Sequence, residues 1–287
     1  MQSVLSRRVI GKVSLSEREP VVAIQPRGSG IPLFLVAPGV ESISFTRRLG
    51  LDQPIFGIRV PPAGNDPNSR DIEDLAAQCA REILRICPSG PYAFAGWCNA
   101  GLLGLEIGRH LERMGQRVVF AALFDARTLF IPPMSRSRRV LVRCWHQVQR
   151  LGFFVSRVRE QGFGPIRRAI GDRSNSLQEA SGRILGNGSA DQIGNGLRRY
   201  HPTAWTGRVV HIWAEKRPKG RFRDPEFLWS ATSPQGFKFY EVPGDHHTML
   251  QEPNVGRVAA LLGRELRRAR LTPGIQRTPE LSRSERT

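Results

Sequence analysis

The sequence predicts an α/β protein built on a mostly parallel central sheet with helices on both faces. Short apolar runs alternate along the chain with longer segments of helical periodicity. The run at 118–124, VVFAALF, is almost wholly apolar, which is typical of a parallel strand covered on both faces. Alternating strands and helices of this length form doubly covered sheets, and 287 residues suffice for one such domain with a substantial core.

The predicted elements divide into two groups separated by a long interruption. The helix at 71–87 starts with acidic residues in its first turn, where they favour the helix dipole, and ends before a Ser-Gly-Pro turn. A second helix ends near Gly115. The predicted strands are 33–37, 54–60, 92–96, 118–124, 208–214 and 237–242, and the predicted helices are 71–87, 99–114 and 254–270.

Three further segments do not follow the strand–helix alternation. Residues 1–20 are polar and basic, so we expect a flexible N-terminal arm before a domain at 21–270. Residues 127–200 contain no convincing strand, which predicts a helical insertion into the sheet domain. Residues 271–287 are polar and include prolines, which predicts a disordered tail. In the insertion, we expect Trp145, Phe153 and Phe154 to serve packing rather than to bind a cofactor, and the alternative is that residues of this segment line a pocket.

The charge of the chain is far from neutral. Forty-three basic residues, 39 of them arginines, stand against 25 acidic residues, which gives a net charge of +18. Fourteen arginines and only four acidic residues fall within 127–199. A balance this basic fits nucleic acid, an anionic membrane surface or an acidic protein partner. A solvated arginine-rich face that reflects coding bias is the alternative reading.

The four cysteines indicate a reducing compartment. They show no CxxC spacing and no histidines at zinc-ligand intervals, so we expect free thiols and neither a metal site nor a disulfide framework. Cys79 and Cys87 share a predicted helix face with apolar residues, which favours a core role. The N-terminus lacks a continuous apolar signal segment, and no charge-free apolar run reaches membrane-spanning length. We therefore expect a cytoplasmic protein that does not enter a membrane.

A nucleophile motif lies between the strand at 92–96 and the helix that follows it. Cys98 occupies the position of the serine in a G-x-S-x-G elbow, with Gly96 and Ala100 as its small neighbours. Such a turn exposes the side chain above the sheet, and the helix N-terminus favours the thiolate form of a cysteine. The backbone N–H of Asn99 could there face a developing oxyanion. The alternative is a buried structural cysteine in a glycine-rich turn.

An acid and a base follow in the order expected of an α/β-hydrolase. Asp125 ends the next apolar strand, 27 residues after Cys98, and His246 follows the last predicted strand. Carboxyl ends of parallel strands share one sheet edge, so all three side chains are predicted to meet there. Taken singly, Asp125 could cap a helix and His246 could be a surface loop residue. The neighbouring His247 leaves some ambiguity about the base, whereas His110, His146, His201 and His211 have no motif support and are interpreted as structural.

Over about residues 22–262, the sequence resembles the thioesterase domains that terminate non-ribosomal peptide and polyketide assembly lines. Individually the matching motifs are moderate signals, but their joint order and spacing are specific. The resemblance implies Cys98 as nucleophile, His246 as general base and Asp125 as the residue that orients the histidine. The segments that carry it are VVAIQPRGSGIPLFLVAPG (21–39), PYAFAGWCNAGLLGLEIGRHLERMGQRVVFAALFDA (91–126), YHPTAWTGRVVHIWAE (200–215) and EVPGDHHTMLQEPNV (241–255).

The same resemblance implies further parts of the site. The insertion at 127–200 would be a lid over the acyl pocket, and a backbone N–H near Gly39 would join that of Asn99 in an oxyanion hole. The sequence departs from the family at two points. The first turn reads APGVE, where the family has histidine or proline followed by glycines, and cysteine stands where serine is usual.

The resemblance also implies the reaction and its partner. The acyl group, an aminoacyl, peptidyl or polyketide chain, would arrive on the phosphopantetheine arm of an acidic carrier protein, acting in trans or upstream in one assembly line. Release would follow by hydrolysis, cyclisation or transfer to an amine, with no tightly bound cofactor. Two alternatives remain: a shuttle that moves aminoacyl groups between carriers, and an inactive basic protein that binds nucleic acid or acts as a scaffold.

Overall fold

The computed structural model describes residues 20–39, 41–60, 71–126, 207–217 and 236–272, with single residues between 137 and 205. The expected arm, the tail beyond residue 272 and most of the expected insertion lie outside the described residues. Across the described part, no helix combines the length and the apolarity needed to cross a bilayer.

The described elements follow the predicted alternation of strands and helices. Strand β5 has the predicted bounds, while β6 and β7 run two or three residues further than the apolar pattern indicates. The strands are β1 (Val21–Gln25), β2 (Leu33–Val36), β3 (Ile55–Ile58), β4 (Tyr92–Trp97), β5 (Val118–Phe124), β6 (Val209–Lys216) and β7 (Phe237–Asp245). The helices are α1 (Glu41–Leu49), α2 (Ile72–Ile86), α3 (Asn99–Arg113) and α4 (Val255–Leu271).

The seven strands form one sheet in the order β1-β3-β2-β4-β5-β6-β7. Every neighbouring pair is parallel except β1 and β3, which are antiparallel. The carboxyl ends of six strands therefore lie along one edge, which is where open α/β sheets place their ligands. The mostly parallel sheet of the prediction is confirmed.

Helices cover both faces of this sheet. On one face, α2 and α3 bury side chains such as Leu75 and Leu103 against Phe94 of β4. On the other face, α1 and α4 contribute Phe45 and Leu262 to a second core. Each fully buried large apolar side chain stabilises the fold by about 1.5–3 kcal/mol, so two cores hold the sheet rigid between them. Cys79 is fully buried in the first core, and the prediction of a core role for it is confirmed.

Two elements were not predicted. Strand β1 is a short edge strand whose residues are mostly half-buried, so it lacks the apolar run that marks the inner strands. Helix α1 has the sequence ESISFTRRL, in which Phe45 is buried and Ile43 is exposed, which weakens its helical periodicity. Tertiary packing against α4 accounts for this helix better than its own sequence does.

The described residues of the insertion give one correction. The described residues between 137 and 159 are helical, and the helical insertion as a whole stays a prediction because most of it lies outside the described residues. Trp145 is 52% exposed rather than packed. Phe153 and Phe154 lie outside the described residues. The expectation of packing is therefore wrong for Trp145, because the helical spacing of an apolar residue does not show what its face contacts.

The chain segment that leads from the insertion back to the sheet is hydrogen-bonded to α3. The Tyr200 hydroxyl donates a hydrogen bond to Glu106 Oε2 at 2.5 Å, and Trp205 Nε1 donates to Glu112 Oε2 at 2.7 Å. Because α3 begins directly after Cys98, the helix that carries the candidate nucleophile also anchors the end of the insertion.

Candidate active site

Cys98 lies in a strained turn between β4 and α3. Its backbone has φ 53° and ψ −126°, and its N–H donates to the Phe124 carbonyl at 2.8 Å. A Cβ on Gly96 would lie 2.5 Å from the backbone of Ala100 and Gly101, so this position requires glycine. The predicted small neighbours have this steric reason, and Gly101 is a third, since its Cβ would lie 2.8 Å from the Gly96 carbonyl oxygen.

Asp125 follows β5 directly and is held at three points. Its backbone has φ 46°, and its N–H donates to the Ile212 carbonyl at 2.8 Å. The backbone N–H of Ala214 donates to Oδ1 at 3.3 Å. Oδ2 lies 2.6 Å from His246 Nδ1, so the carboxylate bridges β6 and the histidine loop.

His246 lies in a turn that Asp245 organises. Oδ1 of Asp245 accepts hydrogen bonds from the backbone N–H of His247 at 3.0 Å and of Thr248 at 3.1 Å, while the Asp245 N–H donates to Thr248 Oγ1 at 2.8 Å. This reciprocal pattern fixes the loop after β7. The structure thus brings together Asp125 and His246, which are 121 residues apart in sequence.

The electrostatics of the pair favour a charged histidine. Burial by itself lowers the pKa of His246, but hydrogen bonds to Asp125 and Cys98 outweigh this effect and raise the pKa to about 9. Burial likewise favours the neutral carboxyl of Asp125, and the hydrogen bond and charge of His246 reverse the effect, holding the pKa of Asp125 below its usual value. Asp125 is therefore a carboxylate facing an imidazolium at neutral pH, and Cys98 is a hydrogen-bond partner of that imidazolium.

The two predicted oxyanion-hole residues follow neighbouring strands. Asn99 is the first residue of α3, and its Oδ1 lies 3.9 Å from Cys98 Sγ. Gly39 lies in the turn after β2, whose last residue, Val36, pairs with Gly96 of β4. Both turns are thus adjacent at the carboxyl edge. The role of their N–H groups stays a prediction.

The surroundings of Asp125 contain a cation that sequence reasoning did not single out. The Arg217 guanidinium donates to the Ala214 carbonyl at 2.5 Å, pairs with Glu241 at 3.0 Å and stacks 4.1 Å from the Trp213 ring centre. It thereby holds the end of β6, whose Ala214 N–H contacts Asp125.

His211 is the fully buried histidine of β6. It accepts a hydrogen bond from Trp213 Nε1, and burial lowers its pKa to about 3, so it is neutral. Its place in the core agrees with the interpretation of this histidine as structural. His110 also has a structural partner, the Glu106 carbonyl at 3.1 Å, whereas His146 and His201 lie outside the described residues.

Sequence reasoning also missed a role for Trp97, the last residue of β4. Its ring stacks on that of His246 with centroids 4.6 Å apart and an interplanar angle of 27°. Its Nε1–H donates to the His246 carbonyl at 3.0 Å. The available signal was an aromatic residue beside the nucleophile, but its partner is 149 residues away. His247, by contrast, is exposed and meets His246 edge-on at 5.2 Å.

The protein has the α/β-hydrolase fold. Three features define it: a mostly parallel sheet with helices on both faces, a strained turn between β4 and α3, and an Asp–His pair at the same sheet edge. The thioesterase domain model matches residues 44–266, which is more than half of the chain. The chain therefore belongs to the thioesterase domain family.

Several known proteins are similar to the chain. The nonribosomal peptide synthetase acyN of Ascocoryne sarcoides is 25% identical over 267 residues, which cover 82% of this chain and 28% of the relative. An atromentin synthetase of Tapinella panuoides is 24% identical over 273 residues, covering 84% and 28% respectively. The chain thus spans little more than a quarter of these relatives' length.

A solved structure agrees with this fold. The NocB thioesterase domain, in covalent complex with a fluorophosphonate nocardicin G analogue, superposes with a TM-score of 0.58 at 21% identity. The match covers 86% of this chain and 99% of that domain. At this identity the likeness shows the α/β-hydrolase fold alone.

Proposed function

We propose that the protein is a release-type thioesterase that takes an acyl group from a phosphopantetheine carrier onto Cys98. The observation that carries the proposal is the contact between Asp125 and His246 at the sheet edge where Cys98 occupies the elbow. The similarity to nonribosomal peptide and atromentin synthetases supports the substrate class, an aminoacyl, peptidyl or polyketide thioester.

The first half-reaction is exchange of one thioester for another. The Cys98 thiolate attacks the carrier-bound carbonyl carbon, and the N–H groups of Asn99 and Gly39 stabilise the oxyanion of the tetrahedral intermediate. The carbon–sulfur bond to the pantetheine then breaks, and the His246 imidazolium donates its proton to the departing thiolate. Asp125 accepts the Nδ1 hydrogen bond throughout, which leaves Nε2 of the histidine for the reacting atoms.

The second half-reaction needs the opposite protonation state. Neutral His246 takes a proton from the incoming water, amine or hydroxyl, and the Cys98 thiolate leaves as the acyl bond forms. An acyl-cysteine keeps the reactivity of a thioester, which suits transfer to an amine or ring closure as well as hydrolysis. Chemically it also suits return of the acyl group to a second carrier thiol, the shuttle reaction.

The proposed partner is an acidic carrier protein, because the basic residues of 127–199 would attract it. Most of these arginines lie outside the described residues, and it is their number in the sequence that favours an acidic partner. We also propose that 127–200 forms a lid, and the hydrogen bonds from Tyr200 and Trp205 to α3, which hold the end of this segment near the site, support it.

The test is the mass of the protein after incubation with an acyl-loaded carrier. The chain has four cysteines, which differ in burial and therefore in how readily each thiol reacts. Burial raises the pKa of the Cys79 thiol to about 12 and also raises that of Cys87, so neither competes as a nucleophile. Cys144 is exposed, and replacing it by serine in all variants leaves Cys98 as the reactive thiol.

We expect one acyl adduct on Cys98 in the Cys144→Ser background and none in Cys98→Ala. Cys98→Ser keeps an oxygen nucleophile in the same strained turn and should form an ester adduct more slowly. Absence of any adduct across several acyl groups would refute the mechanism. Appearance of the acyl group on a second carrier without free acid would identify the shuttle instead. Salt-sensitive DNA binding that persists in Cys98→Ala, with no adduct, would support the non-enzymatic alternative.

A further inference from the structure

Trp97 contacts His246 in two independent ways. The indole and imidazole rings stack at 4.6 Å, and the indole N–H holds the backbone carbonyl of the same histidine at 3.0 Å. Trp97 immediately precedes Cys98, so one short segment supplies both the nucleophile and a cover for the base. Neither contact uses a reacting atom, which leaves Nε2 of His246 available for Cys98.

The contact has an electrostatic consequence. The face of an indole ring carries negative potential and attracts a cation placed over it within about 6 Å. An imidazolium over Trp97 is therefore favoured relative to a neutral imidazole. The Asp125 carboxylate on the Nδ1 side acts in the same direction.

The other titratable and charged groups around this contact, among the described residues, are Asp245, His247, His211 and Arg217. The buried Asp245 carboxylate directs Oδ1 to the backbone N–H groups of His247 and Thr248. His247 meets His246 and Trp97 edge-on at 5.2 and 5.9 Å. His211 is neutral in the core, and the Arg217 cation acts on Asp125 rather than on the histidine ring. Cys98 becomes an anion when it gives up its proton, which also favours the imidazolium.

We propose that Trp97 is a positioning residue that fixes the ring of His246 and holds it as an imidazolium, so that the resting enzyme carries a Cys98 thiolate–imidazolium pair. The proposal rests on the proposed function, since it assigns His246 as the partner of Cys98. It explains how the enzyme can start from a charged nucleophile without a separate deprotonation step.

The experiment follows the proton on His246 rather than turnover. Iodoacetate carries a negative charge and reacts with a thiolate beside an imidazolium, so its rate of alkylation of Cys98 falls when His246 loses its proton at alkaline pH. The midpoint of this fall is measured in the Cys144→Ser background. The ¹⁵N resonances of the His246 ring give the same midpoint independently.

Trp97→Leu keeps an apolar cover but removes the aromatic face and the N–H donor. We expect the alkaline midpoint to move down by about 0.5–1 pH unit, the scale of one cation–π contact. Trp97→Phe keeps an aromatic face and should shift it less. Trp145→Leu makes the same change at an exposed tryptophan and should leave the midpoint where it is.

A midpoint in Trp97→Leu that coincides with the parent's would overturn the proposal. If that variant does not fold, fluorinated tryptophans at position 97 retain shape and N–H while weakening the negative face. The midpoint should then fall with each added fluorine, and independence from fluorination would also overturn the proposal. Alkylation requires no carrier, so a missing acyl adduct with an intact shift refutes only the proposed function.

Discussion

At both ends of the parallel sheet the chain makes turns with a positive φ, but the residues in these turns differ between the two ends. Turns at the amino ends that need positive φ use glycine, at Gly28, Gly50, Gly115 and Gly236. At the carboxyl ends of β2, β4 and β5, three adjacent strands, the described residues with positive φ are Ala37, Cys98 and Asp125. Gly244, near the end of β7, is the glycine on that side.

The difference shows at which turns a side chain is kept although glycine would relieve the backbone strain. A side-chain-bearing residue in the left-handed region costs roughly 1–2 kcal/mol, which glycine avoids. The amino-end turns only redirect the chain, so glycine serves there. At the carboxyl end, the turns themselves carry Cys98 and Asp125, the proposed nucleophile and the partner of His246, and the two cores on either side of the sheet hold these turns in place.

The largest expected effect comes from exchanging the Asp125 carboxylate for an amide, and the same exchange at the amino end of the sheet is the control. Asp125→Asn tolerates the backbone conformation but presents an amide to His246, and we expect release of the acyl-enzyme to slow by about 1,000-fold or more. Asp52→Asn makes the same change at the amino end, where Asp52 contacts Ser29 and Arg270. Its acyl release should match the parent rate in single-turnover measurements, and an equal loss in both variants would contradict the contrast.

A second comparison separates steric need from conformational need among the amino-end glycines. A Cβ on Gly28 would lie 2.2 Å from the Asp52 carbonyl oxygen, whereas nothing lies within 4 Å of one on Gly50. Gly28→Ala should therefore lower the free energy of unfolding by about 2–3 kcal/mol and Gly50→Ala by about 1 kcal/mol. Urea denaturation measures both, and equal values would show that the contact at Gly28 relaxes freely.

The smallest expected effect is at Ala37, the strained carboxyl-end residue without a reactive group. Ala37→Gly removes the conformational strain but adds backbone entropy to the unfolded chain, so a net gain of about 0.5 kcal/mol is expected. Acyl-enzyme formation should persist, because the proposed oxyanion-hole N–H belongs to Gly39, two residues further along the chain, and the substitution does not remove it. A marked fall in acylation with no loss of stability would indicate that the Ala37 methyl shapes the site.

Much of the fold and of the candidate site could be predicted from local sequence. Inner strands such as β5 are apolar on both faces, which is a strong signal, and residues at their carboxyl ends converge by topology alone. Cys98, Asp125 and His246 could be proposed on this basis. The edge strand β1 gave no such signal, since one side of it has no neighbouring strand.

The remaining features depend on contacts between distant parts of the chain. Nothing in the residues around Trp97 shows that its ring meets His246, and nothing around Arg217 shows that it clamps the peptide of Ala214 beside Asp125. The exposure of Trp145 follows the same rule, because periodicity predicts a face but not its partner. Local sequence patterns therefore point to candidate reacting groups more readily than to the residues that contact and position them.

The loop after β7 also sets when the site can exist during synthesis. Cys98 and Asp125 directly follow strands β4 and β5, which are synthesised early, whereas His246 contacts Trp97 and Asp125 across 149 and 121 residues. Contacts of such separation form late, because a long loop must close before they stabilise anything. A chain still leaving the ribosome thus holds an ordinary thiol at position 98. Cys98 gains its proposed partner His246 only when the last strand docks, so the proposed acyl chemistry would have to wait until the sheet is complete.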